Sequence, residues 1–319
     1  MIVKEREKPI RLQKLEALIR RTPHAHPKYQ QINEQLARSI AGYKGEQSLD
    51  YYLDLLPEKK YAILHNVRLP HKNSFFQMDT LLLSPSLILI LEVKNMMGTL
   101  FFDPVFHQLI RTKDEQEEGF PDPFLQIQRQ KEQLKTWLTK QKIPRVPIEA
   151  LIVISNSNSV IRTAETNQSI SKTLIRKEFL PFKIAQLETE YRNEALSPKQ
   201  FLKLSRQLKK SHTPENPAIL SQFQMTPEQL KKGIFCPSCD TLPLRRKLAT
   251  WYCPSCKDKH KFAHIPAIYD YSLLIKREIT NKEARDFWLL TDPHVAKRLL
   301  QAMGLPSTGA GRARIYTIC

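Results

Sequence analysis

The stretch LILILEVKN, residues 87–95, decides how this chain is read. Its apolar run predicts a buried strand, and the run stops abruptly at Glu92, Val93 and Lys94. Residues two apart on a strand share a face, so the Glu92 and Lys94 side chains project together while Val93 points into the core. Asp79 lies in the preceding apolar run, FFQMDTLLLS (75–84), joined through the short turn SPS. That turn predicts a hairpin, which brings Asp79, Glu92 and Lys94 to one end of a sheet.

Two carboxylates placed in this way can hold a hard divalent cation, Mg2+ or Mn2+, with the Val93 carbonyl as a further oxygen ligand. Such a cation acidifies a bound water, and a lysine orients that water or stabilises developing phosphate charge. This is the chemistry of phosphodiester hydrolysis. Glu-x-Lys alone is weak: Glu58–Lys60 repeats it in a polar turn after Pro57 with no apolar strand before it. The alternative for the first copy is a solvated ion pair at a strand end.

Outward from this stretch, residues 10–22 and 28–56 have helical periodicity, with Gly42 and Gly45 predicting a break between about 40 and 44. YAILHNVRL (61–69) alternates like a half-buried strand, and TLFFD (99–103) and HQLIRT (107–112) read as further strands. KDEQEEGFP (113–121) reads as a loop. Residues 122–140 predict a helix capped by Asp122 with Pro123 at its first position. IEALIVIS (148–155) is another buried strand, SNSNSVIRTAETNQS reads as a loop, and AQLETEYRNE and SPKQFLKLSRQLKKS read as helices. The order helix, strands, helix, strand predicts an α/β fold with a mixed sheet flanked by helices.

In this order GYKGEQ (42–47), FFQMD ending at Asp79, LEVKNMMG (91–98) and PFLQIQRQ (123–130) resemble the nuclease-related (NERD) domain, a branch of the restriction-endonuclease-like superfamily. The resemblance covers roughly residues 38–155. It implies a metal-dependent nuclease core in which Asp79 and Glu92 are metal ligands and Lys94 is the catalytic lysine. It adds Glu46 from the first helix, Gln77 two before the aspartate, Asn95 after the lysine and Gln126 from the second helix. Met78 stands where isoleucine is usual and Ser86 where glycine is common, and neither removes a chemical group. Read by themselves, Glu46 also fits a first-turn helix carboxylate favoured by the macrodipole, and Gln126 a solvated helix face.

CPSCDTLPLRRKLATWYCPSC places Cys236, Cys239, Cys253 and Cys256 as two Cys-x2-Cys pairs around a hairpin-length insert. This spacing predicts a structural zinc ribbon, closed by four thiolates and therefore not catalytic. His260 and His264 follow but are not needed, and Cys319 has no assigned role. Arg245, Arg246 and Lys247 make the ribbon basic. Trp251 and Tyr252 offer aromatic surface for single-stranded nucleic acid, or Trp251 packs the ribbon's small core. Beyond it, Thr280 with Glu283 forms a capping box, Asp292–Pro293 opens a second helix, and ARIYTI ends the chain as a strand. This pattern looks like a winged helix-turn-helix, with Lys297 and Arg298 on the second helix and Arg312 and Arg314 on the wing. A helical hairpin that caps the ribbon is the other reading.

The chain has 50 Lys and Arg against 32 Asp and Glu, a net charge of +18. Residues 197–319 carry 21 basic and 9 acidic residues and hold most of that excess. A polyanionic partner is expected, nucleic acid and DNA first. The charged N-terminus does not suit a signal peptide, no segment is long enough to span a bilayer, and the cysteines are spaced for metal. These features predict a cytoplasmic protein with no membrane partner. The expected organisation is a helical segment (1–37), a nuclease-like domain (38–195), a basic helical linker (196–233), the ribbon (234–265) and the winged unit (266–319). Three functions compete: a Mg2+-dependent nuclease, a nucleic-acid-binding protein that uses the nuclease-like fold as a scaffold, and an assembly factor that binds a protein through the ribbon.

Overall fold

The computed structural model describes residues 1–164 and 168–318, with the backbone alone at Gln168, Ser169 and Arg312. Two compact units emerge: residues 1–9 with 39–215, and residues 10–38 with 216–319. The chain starts with β1 (Ile2–Lys4), α1 (Ile10–Arg21), α2 (Tyr29–Gln47) and α3 (Asp50–Asp54). There follow β2 (Ala62–His71), β3 (Ser74–Leu83), β4 (Ile88–Lys94), β5 (Gly98–Asp103), β6 (Gln108–Lys113) and β7 (Gln116–Pro121). Next come α4 (Pro123–Lys140), β8 (Ile148–Ile154), β9 (Ser159–Thr163), β10 (Leu174–Arg176), α5 (Leu180–Glu190) and α6 (Pro198–Ser211).

In the first unit a six-stranded mixed sheet runs β1-β2-β3-β4-β8-β10. β2, β3 and β4 pair antiparallel, while β8 is parallel to β4. One face carries Leu81, Leu83, Ile88 and Ile90 against Ile127 and Leu134 of α4 and Leu204 of α6. The other carries Leu82, Leu89, Leu91 and Val153 against Leu53 of α3 and Ile184 of α5. Both faces are covered, which is why the central strands read as unbroken apolar runs. The α/β architecture with a mixed, helix-flanked sheet is as the sequence predicts.

Four local expectations are corrected. α2 runs without a break to Gln47, so Glu46 lies in its last turn. Gly45 marks a close approach: a β-carbon there would stand 2.4 Å from the Asn95 Cβ. The polar stretch 113–121 is the hairpin strand β7, turned through Asp114 and Glu115 at φ 50° and 61°. Residues 159–163 form β9, parallel to β5, in a second sheet ordered β7-β6-β5-β9, and residues 165–167 of that predicted loop lie outside the described residues. The predicted helix at 185–194 starts earlier, at Leu180, and stops at Glu190.

The second unit adds α7 (Ile219–Gln222), then β11 (Arg245–Lys247), β12 (Thr250–Tyr252) and β13 (Lys259–His260), which form the ribbon sheet. α8 (His264–Leu274), β14 (Glu278–Thr280), α9 (Asn281–Trp288), α10 (Pro293–Ala302), β15 (Ser307–Thr308) and β16 (Ile315–Thr317) complete it. The sheet order β14-β16-β15 beside α9 and α10 makes a winged-helix-like unit. Trp251 and Cys253 of the ribbon share one core with Ile268, Phe287, Leu300 and Tyr316. Leu15 and Leu18 of α1 pack with Ile219, Leu220 and Leu274. No helix among the described residues is long and apolar enough to cross a membrane.

Candidate nuclease site and metal centre

The β3–β4 ladder ends at Thr80↔Leu91, so Asp79 and Glu92 emerge side by side just past it. Asp79 Oδ2 accepts the Val93 N–H at 2.9 Å, taking the place of a backbone acceptor on β3. The N–H and C=O of one strand residue point to the same side, so the Val93 carbonyl also faces Asp79. The Lys94 carbonyl faces the other way and accepts the Ser155 N–H at 3.0 Å.

α4 supplies the roof. Asp122 caps it by accepting the Phe124 N–H at 2.8 Å, which sets Gln126 in the first turn and Gln130 one turn on. Lys94 Nζ donates to Glu92 Oε1 at 2.7 Å and to Gln126 Oε1 at 2.9 Å. Gln130 Nε2 donates to Glu92 Oε2 at 2.8 Å and to the Gln77 carbonyl at 2.9 Å. Glu92 is 4% exposed, so these donors replace water around a buried carboxylate. Asn95 holds the end of α2 through a 2.7 Å bond from its Nδ2 to the Ala41 carbonyl.

Glu46 stands at the edge of this group, clamped by Arg6 Nη1 at 2.9 Å. Arg6 Nη2 also reaches Asp50 Oδ1 at 3.0 Å, His65 Nδ1 at 2.8 Å and Thr80 Oγ1 at 3.2 Å. Burial and then the Glu92 and Glu46 charges push the Asp79 carboxyl well above the usual range, against the pull of the Val93 N–H and Lys94. Burial also raises the Glu46 carboxyl, which Arg6 opposes. Burial, then Arg6 and Lys4, press His65 down to about 3, so its imidazole is neutral.

Asp79, Glu92, Lys94 and Gln126 are therefore together, with Glu46 near enough to act on Asp79 through its charge. Sequence reasoning missed Gln130 and Arg6. Gln130 had a signal, because it lies four residues after Gln126 and so on the same helix face. Arg6 had none: it lies in a charged stretch without periodicity.

In the second unit Cys236, Cys239, Cys253 and Cys256 bring their sulfurs within 4.8 Å of one another. The Cys236–Cys256 and Cys239–Cys253 distances are 3.6 Å and 3.5 Å. Sulfurs at tetrahedral corners about 2.3 Å from zinc lie ~3.8 Å apart, so the cluster is compatible with that ion. His260 Nε2 stands 3.5 Å from Cys236 Sγ, while His264 Nδ1 faces Trp251 Nε1 at 3.2 Å. Trp251 is 1% exposed, so of its two expected roles it takes core packing. Arg245, Lys247, Lys297 and Arg298 are exposed, and Arg246 and Arg314 are half-buried. The side chain of Arg312 and all of Cys319 lie outside the described residues.

A mixed sheet with an acidic pair and a lysine at one strand end defines a restriction-endonuclease-like core. The family model of the nuclease-related domain matches residues 41–155 of the chain. No curated protein and no solved structure matches the chain.

Proposed function

We propose that the protein is a metal-dependent nuclease that hydrolyses phosphodiester bonds in DNA, with the ribbon and the winged-helix-like unit binding the substrate. The observation that carries this reading is the Lys94–Glu92–Gln130 chain beside Asp79. The donor set fits a hard cation: like-charged carboxylates crowd Asp79, and a divalent ion relieves that repulsion. Asp79, Glu92 and the Val93 carbonyl would hold Mg2+ or Mn2+. Bound there, the ion supplies Lewis acidity that activates water and offsets phosphate charge.

The chain's own residues do the rest. Lys94 presents its ammonium to the attacking water or the phosphate, and Gln126 fixes where that ammonium points. Gln130 holds Glu92 in one orientation, and Glu46 adds a carboxylate at the edge of the site. Four cysteines spaced for metal and not for a disulfide framework favour the reducing cytoplasm as the place of action.

The test is cleavage of labelled single- and double-stranded DNA with Mg2+ or Mn2+, run beside Lys94→Ala. Metal-dependent cutting by the wild type and its loss, by about 100-fold or more, in the variant are expected. Wild-type cutting by the variant overturns this reading. If neither protein cuts but both bind, the nuclease-like fold is a scaffold.

A further inference from the structure

α6 carries Lys199, Lys203, Arg206, Lys209 and Lys210 and no acidic residue. Its apolar face is spent inside the first unit: Leu204 and Leu208 are buried with Leu81 of β3 and Leu134 of α4. Lys199, Lys203, Arg206 and Lys210 follow one another at steps of four, three and four residues, so they line one face of the helix. At 1.5 Å per residue that line is about 16 Å long. All four side chains are exposed, and among the described residues none of them pairs with a carboxylate. Other cations of the unit do pair, Lys60 with Glu188 at 2.7 Å and Lys131 with Glu149 at 3.0 Å. Lys209 and Lys210 suit the C-terminal end of a helix dipole, but Lys199 sits in the first turn, where that dipole opposes a cation. The turn is held by Ser197 and Gln200, which cap it reciprocally with bonds of 2.9 Å and 3.4 Å. Like charges in line repel one another, and a polyanion laid along them removes that repulsion.

The helix ends beside the candidate site. The Thr213 N–H donates to the Arg68 carbonyl at 2.9 Å, and the Arg68 N–H donates to His212 Nδ1 at 3.1 Å. Arg68 pairs with Gln77 across the β2–β3 ladder. Gln77 lies two residues before Asp79, about 7 Å along the strand. Its carbonyl accepts from the same Gln130 Nε2 that binds Glu92. The cationic line therefore ends at the strand pair that leads to Asp79. The polyanion it fits is a duplex: Phe201 packs against the core, and the line offers no stacking platform of the kind single strands need. A lipid surface takes up the apolar face of a helix, and Leu204 and Leu208 are already buried.

We propose that Lys199, Lys203, Arg206 and Lys210 form a track for the backbone of duplex DNA, so that the nuclease-like unit grips its substrate itself and does not rely on the ribbon and the winged-helix-like unit alone. This rests on the nuclease reading above.

The experiment measures anisotropy of a labelled duplex of about 20 base pairs, and of its single strand, over a salt series. The full chain carries Lys94→Ala and no divalent metal is added, so binding is read without cutting. It is compared with chains that add Lys203→Gln alone, or Lys199→Gln, Lys203→Gln, Arg206→Gln and Lys210→Gln together. A control removes the same charge at exposed sites off the line, through Lys59→Gln, Lys113→Gln, Lys135→Gln and Lys282→Gln. Circular dichroism and urea melts check each fold. The four changes on α6 are expected to weaken duplex binding at least 100-fold at about 0.1 M salt and to lower the salt slope by about 3 to 4, and Lys203→Gln alone by about one. A slope lowered by one or less in the four-site chain, an equal loss in the control, or tighter binding of the single strand overturns the track. Loss of binding to phosphatidylserine vesicles with duplex binding intact overturns it too, and makes the face a lipid surface. If the wild type cuts DNA with metal and the four changes leave duplex binding as it was, the track fails and the nuclease reading stands. If the folded wild type neither binds nor cuts, both fail.

Discussion

At the scale of single residues, the candidate site is a set of buried carboxylates held by cationic side chains and a neutral amide. Glu92 divides its oxygens between Lys94 and Gln130, and Arg6 binds Glu46, Asp50, His65 and Thr80 at once. His65 lends this network a measurable pH dependence. In the folded protein it protonates only near 3, and in the unfolded chain near 6.5. The unfolded state therefore binds the extra proton between those values, and stability present above pH 6.5 falls as the pH drops below it. The expected loss approaches ~1.4 kcal/mol per pH unit, read from urea midpoints between pH 7.5 and 5. The raised Asp79 and Glu46 carboxyls act in the opposite sense, so the comparison is with His65→Gln. That variant should show a clearly shallower acid loss; an unchanged slope would mean that burial of His65 is not its source.

At the scale of elements, the site depends on how α2 and α4 meet the ends of β4 and β8. Gly45 is the contact where no side chain fits, since an added β-carbon would lie 2.4 Å from the Asn95 Cβ and 2.9 Å from Ser155 Oγ. Gly45→Ala should cost about 1–3 kcal/mol through overpacking, despite alanine's better helix propensity. A chemical melt that finds the variant as stable as the wild type would show that α2 shifts to make room. The N-cap of α4 is a second lever. Asp122→Ala should cost about 1 kcal/mol and lower kcat more than substrate binding, because Gln126 sits in the turn that Asp122 caps. Equal kcat in the two proteins would separate the cap from the site. α4 was readable from the sequence, and α2 apart from the break expected between about 40 and 44, whereas β7 and β9 were not. β7 is an exposed, polar strand made by a tight turn and by pairing with β6, and it has no apolar alternation to reveal it.

At the scale of the whole molecule, the zinc-compatible cysteine cluster and the fold are joined in the second unit. Cys236 and Cys253 belong to the same core as Trp251, Phe287, Trp288 and Tyr316. Removing zinc should unfold this core, since structural zinc contributes on the order of 10 kcal/mol to small ribbons. Tryptophan emission should shift to the red on chelation as Trp251 and Trp288 meet water, and DNA binding should fall with it. Cys253→Ser should do the same without chelator. Unchanged emission after verified zinc loss would mean that the hydrophobic core alone holds the unit.

What the sequence by itself determined was local: the strand ending in Glu92-Val93-Lys94, the hairpin that carries Asp79, the caps at Asp122, Thr280 and Asp292, and the four cysteines. Each rests on spacing along a few residues, and strand or helix periodicity turns that spacing directly into a shared face. Only the tertiary structure decided that Gln130 completes Glu92, that Arg6 reaches Glu46, and that residues 10–38 fold in one unit with 216–319. Those contacts join residues far apart in the chain. They are selected by which buried polar groups need partners and which apolar faces need covering once the sheet has formed, and no local period carries that information.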